Sequence, residues 1–207
     1  MPRKAAIRRT QAYALLATRT LFEPLSGSSL HEEIGLVVRT LWAAARSPGR
    51  GPNAGRADSV LEERFVYLPF APKNYRAHSD EIDNVFHAVS ELHPLRGQYP
   101  HPETGEPEGV ELHPYALLLY KDALHFLAHD CKRQCVRTFE LDRLQNSRTI
   151  DARRFELPED FRVEDYYQGH FGIGRGGEKQ TVVVHFDPRV AAQVASRSIH
   201  PSARFSP

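Results

Sequence analysis

The chain has 207 residues, of which 41% are hydrophobic and 26% are charged. This composition is ordinary for a globular protein, and it excludes a wholly disordered or collagen-like chain. No run of 18 apolar residues predicts a membrane helix, and the basic start leads into an amphipathic stretch rather than a secretory signal. Two cysteines, Cys131 and Cys135, argue against a disulfide framework, so we expect a cytoplasmic protein without a membrane partner.

The charge is unevenly distributed along the chain. Residues 1–50 carry 8 Lys/Arg and 3 Asp/Glu, residues 51–110 carry 5 and 10, and residues 111–207 carry 14 and 13. The formal net charge is only +1. The chain is therefore not a strongly basic nucleic-acid coat, and any nucleic-acid contact must come from a local patch.

The first half of the chain has helical periodicity. Helices are predicted at 12–22 and 30–46, the second with Ser29 as N-cap and Glu32 completing a capping box. The Pro- and Gly-rich segment 47–59 is predicted to be a flexible linker. The apolar stripe of the second helix consists of Ile34, Val37, Val38, Leu41 and Trp42.

A short edge strand and a third helix are predicted next. Residues 65–70, FVYLPF, are predicted to form a short strand, with Pro69 favouring an edge. A helix then runs from Ser79 or Asp80 to about His93, where Pro94 stops it. Its predicted buried face consists of Ile82, Val85, Phe86, Val89 and Leu92.

The remainder is rich in predicted strands, with turns about ten residues apart, as in a small barrel or sandwich. An irregular strand and a short helix follow near residues 155–171. A strand at 180–186 and a helix at 188–196 end the pattern. The strands of the barrel are predicted at 95–99, 110–120, 124–128 and 135–144.

Residues 112–144 resemble the core of a WYL domain. Three residues match its opening, three stand at the name-giving Trp-Tyr-Leu triplet with only the leucine kept, and six match its closing block. In chain order these are Pro114, Tyr115, Leu117, His125, Phe126, Leu127, Arg137, Phe139, Leu141, Asp142, Arg143 and Leu144. Weaker similarity extends over residues 60–205.

The resemblance implies an α+β protein with a small Sm/SH3-like β-barrel that senses a ligand, as some such domains bind nucleic acid. We therefore expect a helical linker or dimerisation region at 1–59, the barrel domain at 60–165, and a linker with a truncated βα extension at 166–207. Compared with the family pattern, we expect the N-terminal winged helix-turn-helix and most of the C-terminal extension to be missing from this sequence.

Two arginines are the main candidates for ligand contact. Strand alternation places Arg137, Phe139, Leu141 and Arg143 on one face, and a guanidinium is a good fork for phosphate or carboxylate. With the resemblance, the candidate ligand-binding residues are Arg137, Arg143, His125, Tyr115 and Phe126. The alternatives are pairing of Arg143 with Asp142, Glu140 or a backbone carbonyl, core packing for Phe126, and a buried hydroxyl for Tyr115.

Catalytic and metal-binding motifs are weak. His129, Cys131 and Cys135, with His170 as a fourth ligand, do not have the spacing of a structural zinc site, so we expect no metal and no cofactor. The glycine-rich segment 172–177 lacks the ending of a phosphate loop. The acidic run 156–165 is predicted to be a solvated face, and we expect no enzymatic activity.

The function expected is therefore that of a ligand-sensing regulatory module of a bacterial-type transcription factor. Its effector is expected to be an anion, such as a nucleotide or a short single strand of DNA or RNA. Operator DNA is expected to bind only through a helix-turn-helix domain not present in this chain, and a homodimer is expected. The alternatives are a small hydrolase using the acidic run or the His/Cys group, and a non-functional relic.

Overall fold

The structure, a computed structural model, describes residues 11, 14–15, 18–45, 68, 73–170, 172–174, 180–197 and 199–206. The chain divides into two compact units, Met1–Glu156 and Leu157–Pro207. The predicted linker at 47–59 and, apart from Leu68, the predicted strand at 65–70 lie outside the described residues. No helix in the described part of the chain is long and apolar enough to cross a membrane.

In the described part of the chain, the first unit has two long α-helices and five β-strands, residues 11, 14–15 and 18–19 are also helical, and two short helices lie in the second unit. Short 3-10 segments are Thr20–Leu25, Arg76–His78 and Leu141–Arg143. The helices are α1 (Ser29–Ala45), α2 (Ser79–Glu91), α3 (Val163–Tyr167) and α4 (Pro188–Ala195). The strands are β1 (Leu95–Pro100), β2 (Pro107–Tyr120), β3 (Ala123–Asp130), β4 (Cys135–Glu140) and β5 (Gln145–Thr149).

Helix α1 begins one residue earlier than predicted because Ser28, not Ser29, caps it. The Ser28 hydroxyl accepts a hydrogen bond from the His31 N–H (3.2 Å) and donates one to the Leu25 carbonyl (2.7 Å). Of the predicted apolar stripe, Val38 is buried, whereas Val37 is 51% exposed. The apolar stripe is thus only partly covered by the rest of the chain.

Helix α2 packs against the sheet through a narrower stripe than the sequence predicted. Ile82, Val85 and Ala88 are completely buried, whereas Phe86 is exposed. The helix ends at Leu92, which adopts a left-handed backbone conformation (φ 57°). The Leu92 N–H donates a hydrogen bond to the Ala88 carbonyl.

The five strands form one antiparallel sheet in the order β4-β3-β2-β1-β5. The α+β class is confirmed, but the closed barrel is wrong, because no ladder in the described residues joins β4 to β5. The predicted strand at 135–144 ends at Glu140, where a 3-10 turn begins. Strand β5 was not predicted because its sequence, QNSRT, is polar and has no apolar alternation.

The sheet must nevertheless curl strongly. Its two edge strands are joined by only four residues, 141–144, which span at most about 18 Å when extended and less with a 3-10 turn. A flat sheet would hold these edges about 19 Å apart. Tyr99 of β1 bridges the opening, because its hydroxyl accepts a hydrogen bond from the Glu140 N–H at the end of β4 (2.9 Å).

Gly97 permits the close approach of β5 to β1. The register between these strands shifts between Arg96 and Gln98. A Cβ atom at Gly97 would lie 3.0 Å from Cδ1 of Leu144 and 3.1 Å from the Gln145 carbonyl oxygen. A larger residue would push the start of β5 away.

The second unit follows its prediction in its helices and differs in its strands. Helix α4 is confirmed, with Pro188 in its first turn and the Asp187 carboxylate accepting a hydrogen bond from the Arg189 N–H. Helix α3 lies within the predicted segment 155–171, but the irregular strand predicted before it is absent from the described residues. The predicted strand at 180–186 is wrong, because these residues join no ladder among the described strands.

Loss of the Tyr99 hydroxyl should destabilise the first unit. Tyr99→Phe leaves the Glu140 N–H without its acceptor, so we expect the free energy of unfolding to fall by about 1–3 kcal/mol. Urea unfolding followed by circular dichroism measures this loss.

The matched control is Tyr120→Phe, because the Tyr120 hydroxyl makes no hydrogen bond among the described residues. We expect this control to change the free energy of unfolding by less than about 0.5 kcal/mol. Equal losses in the two variants would show that the Tyr99 hydroxyl does not close the sheet.

Candidate anion site

Two guanidinium groups flank one aromatic pair at the opening of the curled sheet. The rings of Tyr99 and Phe139 meet edge to face, with centroids 5.0 Å apart. The Arg137 guanidinium carbon lies 5.0 Å from the Phe139 centroid, and that of Arg143 lies 5.3 Å from the Tyr99 centroid. Such cation–π contacts orient planar cations while leaving their N–H edges for an anion.

Burial and charge have opposite effects on the Tyr99 hydroxyl. Burial raises the pKa of Tyr99 above its ordinary value, and the hydrogen bond from the Glu140 N–H opposes this shift. The positive charges of Arg143 and Arg137 also act to lower the pKa of Tyr99.

The two arginines reach the Tyr99–Phe139 pair from different parts of the chain. Arg137 shares a face of β4 with the buried Phe139, as strand alternation predicted. Arg143 does not lie on the strand, because the chain turns into a 3-10 segment at Leu141. The prediction that it continues the alternation is wrong, and the turn brings it to the ring of Tyr99 instead.

Arg137 is held by a buried carboxylate. Its Nη1 donates to Oδ2 of Asp130 at 2.7 Å, and Asp130 is completely buried. Asp130 also accepts hydrogen bonds from the N–H groups of Lys132 and Arg133, each at 3.0 Å. Arg137 is therefore engaged in an ion pair within the fold.

The charge of Asp130 is stabilised despite its burial. Desolvation acts to raise the pKa of Asp130, but hydrogen bonds from the Arg133 backbone and from the guanidinium groups of Arg137 and Arg133 outweigh it and lower the pKa. The carboxylate therefore stays ionised and fixes Arg137 against Phe139.

Arg143 is the more accessible of the two arginines. Its side chain is 45% exposed, and its ion pair with Oε1 of Glu140 is long, at 3.9 Å. The other carboxylate oxygen of Glu140 binds the Lys73 ammonium at 2.8 Å. Because Lys73 shares the charge of Glu140, Arg143 keeps more of its capacity to bind an external anion.

Phe126 supports the site from beneath. Its side chain is completely buried, and its ring stacks on Phe139 with centroids 5.2 Å apart. It therefore lies in the core, as its packing alternative predicted, and offers no exposed ring to a ligand.

His125 lies on the opposite face of β3 from Phe126. Its register partner is Glu140, and its Nδ1 lies 3.1 Å from the Ala123 carbonyl oxygen. Burial lowers the pKa of His125 below its ordinary value. The charges of Lys73, Glu140 and Asp142 also act on the pKa of His125. Within this charged group, hydrogen bonds to Glu140 and Asp142 outweigh burial and raise the pKa of Lys73.

Tyr115 occupies another part of the sheet. It lies at the register shift of β2, between Pro114 and Ala116, and its ring centroid is 5.9 Å from that of Phe155. Burial raises the pKa of its hydroxyl. The structure therefore brings together Arg137 and Arg143, with Phe126 behind them, and places His125 and Tyr115 elsewhere.

Sequence reasoning missed the residues that shape the site. Tyr99 and Asp130 hold the arginines, but neither carries a motif, since their roles depend on the curl of the sheet. An open depression of about 750 Å³ was also unforeseen. Its lining includes Arg96, Lys132 and Arg148, a basic set contributed by β1, the β3–β4 turn and β5.

The fold and site define an α+β module with a curled antiparallel sheet and a pair of arginines at its opening. Residues 80–149 match the family described as the WYL domain. The chain thus contains a WYL domain over these residues, which confirms the resemblance seen in its sequence.

Among solved structures, the chain is similar to proteasome accessory factor B/C (PafBC) of Arthrobacter aurescens. The two are 21% identical, with a TM-score of 0.41 over 74% of this chain. The match covers 20% of that protein chain, so the present chain spans about a fifth of its length. No curated protein matches the chain in sequence.

Removal of the Asp130 charge should destabilise the fold in a pH-dependent way. Because the pKa of Asp130 is lower in the folded than in the unfolded chain, its ionisation stabilises the fold above the unfolded pKa of about 3.9. That contribution is lost as the pH falls through the folded pKa. We expect Asp130→Asn to lose about 1–3 kcal/mol of unfolding free energy at pH 7.

Urea unfolding between pH 7 and pH 3 tests this expectation. The difference between wild type and Asp130→Asn should shrink at the acidic end, where the wild-type carboxylate also becomes neutral. The control is Asp160→Asn, an exposed carboxylate. A pH-independent difference for Asp130→Asn would contradict the proposed role of its charge.

Proposed function

We propose that this WYL domain is the effector-sensing module of a transcriptional regulator, and that its effector is an anion bound by Arg137 and Arg143. The observation that carries the proposal is the placement of two guanidinium groups on one aromatic pair, with Arg143 45% exposed. Guanidinium groups bind phosphate oxygens through paired N–H donors, so a nucleotide or a short single strand of DNA or RNA fits this chemistry.

The location of Arg143 suggests how binding is transmitted. Arg143 lies in the 3-10 turn that joins the two edges of the sheet, next to the hydrogen bond between Glu140 and Tyr99. An anion that draws Arg143 away from Glu140 changes the contacts that hold this turn. Such a ligand shifts a conformational equilibrium by as much as its affinities for the two arrangements differ.

The wider regulatory function is part of the same proposal. Operator DNA is bound through a helix-turn-helix domain, and the WYL domain acts in the cytoplasm as part of a homodimer. The exposed apolar side chains of Leu36 and Val37 on α1 support a surface for self-association.

The hydrolase alternative has less support. Two groups of His, Cys, Asp and Glu in the described residues have ligand atoms close enough to hold a metal, and neither includes a residue of the acidic run 156–165. We therefore propose a regulator rather than a hydrolase built on the acidic run.

The proposal is tested by fluorescence anisotropy with labelled single-stranded DNA and RNA, at two salt concentrations and with duplex controls. We expect Arg143→Ala to raise the dissociation constant for single strands about tenfold or more, the loss typical of one charged hydrogen-bonding partner. The salt dependence should also weaken, since each phosphate contact contributes about 0.7 to the slope for a single strand.

Two further variants sharpen the test. Arg143→Lys keeps the charge but not the planar fork, so we expect intermediate affinity. The charge control is Arg154→Ala/Arg189→Ala, which removes two exposed cations that pair with Glu91 and Asp187. Equal losses of affinity in the control and in Arg137→Ala/Arg143→Ala would show that net charge alone accounts for the binding. No binding by folded wild type would overturn the nucleic-acid effector.

A further inference from the structure

Away from the two arginines, three potential metal ligands lie close together on the sheet. His113 of β2 and His129 of β3 are register partners, and their ring centroids are 5.9 Å apart. Cys131 follows directly after β3. One ligand atom from each residue lies within 4.8 Å of the others.

The backbone and a neighbouring ring hold these ligands in place. The Cys131 N–H donates to the Glu111 carbonyl at 3.0 Å, which keeps the thiol beside β2. The His113 ring stacks on Phe155, with centroids 4.8 Å apart and planes inclined by 5°. All three ligand residues are half-buried, so their side chains are more restricted than those of a fully exposed cluster.

The set differs from the one that the sequence suggested. Cys135 is the register partner of Asp130, so it lies on the opposite face of the hairpin from His129. Its place is taken by His113, sixteen positions before His129 along the chain and directly opposite it in the sheet. No ligand spacing in the sequence points to His113, because the strand pairing alone brings it to the site.

We propose that His113, His129 and Cys131 bind a zinc ion. Mixed imidazole and thiolate ligands suit Zn²⁺, and Zn–N distances of about 2.0–2.1 Å with Zn–S of about 2.3 Å give tetrahedral ligand separations of about 3.3–3.7 Å. The ligand atoms now lie within 4.8 Å of one another, so zinc binding requires their side chains to move closer together. Three protein ligands leave the fourth position to water or to an external ligand.

A metal ion binds the neutral imidazole of a histidine and the thiolate of a cysteine, so zinc binding displaces the proton of the Cys131 thiol. Burial lowers the pKa of His113, and burial raises the pKa of the Cys131 thiol.

The other group of possible ligands serves as a comparison. His87, His93 and Asp151 also have ligand atoms within 4.8 Å of one another, but His87 and Asp151 are exposed. Asp151 already pairs with His87 at 3.6 Å. Because this second group has no sulfur, a thiolate signal distinguishes the two sites.

Cobalt(II) titration of the full chain, followed by absorption spectroscopy, tests the proposal. We expect one equivalent of Co²⁺ to give a thiolate-to-cobalt charge-transfer band with tetrahedral ligand-field bands, and Zn²⁺ to displace both. Cys131→Ser should abolish the charge-transfer band. Cys135→Ser, the matched control, should keep it unchanged.

A second measurement keeps the test valid if a variant folds poorly. Circular dichroism establishes the fold of each variant, and thermal unfolding with and without Zn²⁺ should show a rise in Tm for wild type and Cys135→Ser that Cys131→Ser and His113→Ala lose. A band that depends on Cys135, or the absence of any band with folded wild type, would overturn the site. Zinc binding lost only in His87→Ala would assign the metal to the other group.

Discussion

The arrangement of the domain depends on one hydrogen bond across the opening of its sheet. Among the described residues, β4 pairs only with β3, and β5, its neighbour in sequence, forms the opposite edge of the sheet. The Tyr99 hydroxyl accepts a hydrogen bond from the Glu140 N–H at the end of β4. The same side chain packs its ring on Phe139 and against Arg143, so the contact that holds the curl also shapes the candidate anion site.

A buried carboxylate determines which cations can face that opening. Burying Asp130 without partners would be costly, and its hydrogen bonds from Arg133 and Arg137 offset that cost. One arginine is thereby committed to the fold, with its guanidinium fixed on an aromatic ring. Arg143, with a long ion pair and a shared carboxylate, retains the freedom to exchange partners. The site combines a preorganised cation with an adaptable one.

The sequence predicted the elements that depend mainly on residues close together along the chain. Helix α2 and strands β1 to β4 follow from apolar periodicity and from turn residues, and Arg137 follows from strand alternation. Strand β5 was not predicted because its stability comes from pairing with β1, not from its own polar residues. Arg143, Tyr99 and His113 could not be placed for a related reason. Their neighbours are distant in sequence and meet them only through the curl or the register of the sheet.

The hairpin of β3 and β4 links the two proposed sites. Asp130, which holds Arg137, directly precedes Cys131, and the β3–β4 turn between residues 131 and 134 is closed by a hydrogen bond from the Gln134 N–H to the Asp130 carbonyl (2.7 Å). A metal that fixes Cys131 therefore restrains the residue that orients the arginine. Linkage requires that any such effect be reciprocal, so an anion that alters the hairpin changes the affinity for the metal by the same factor.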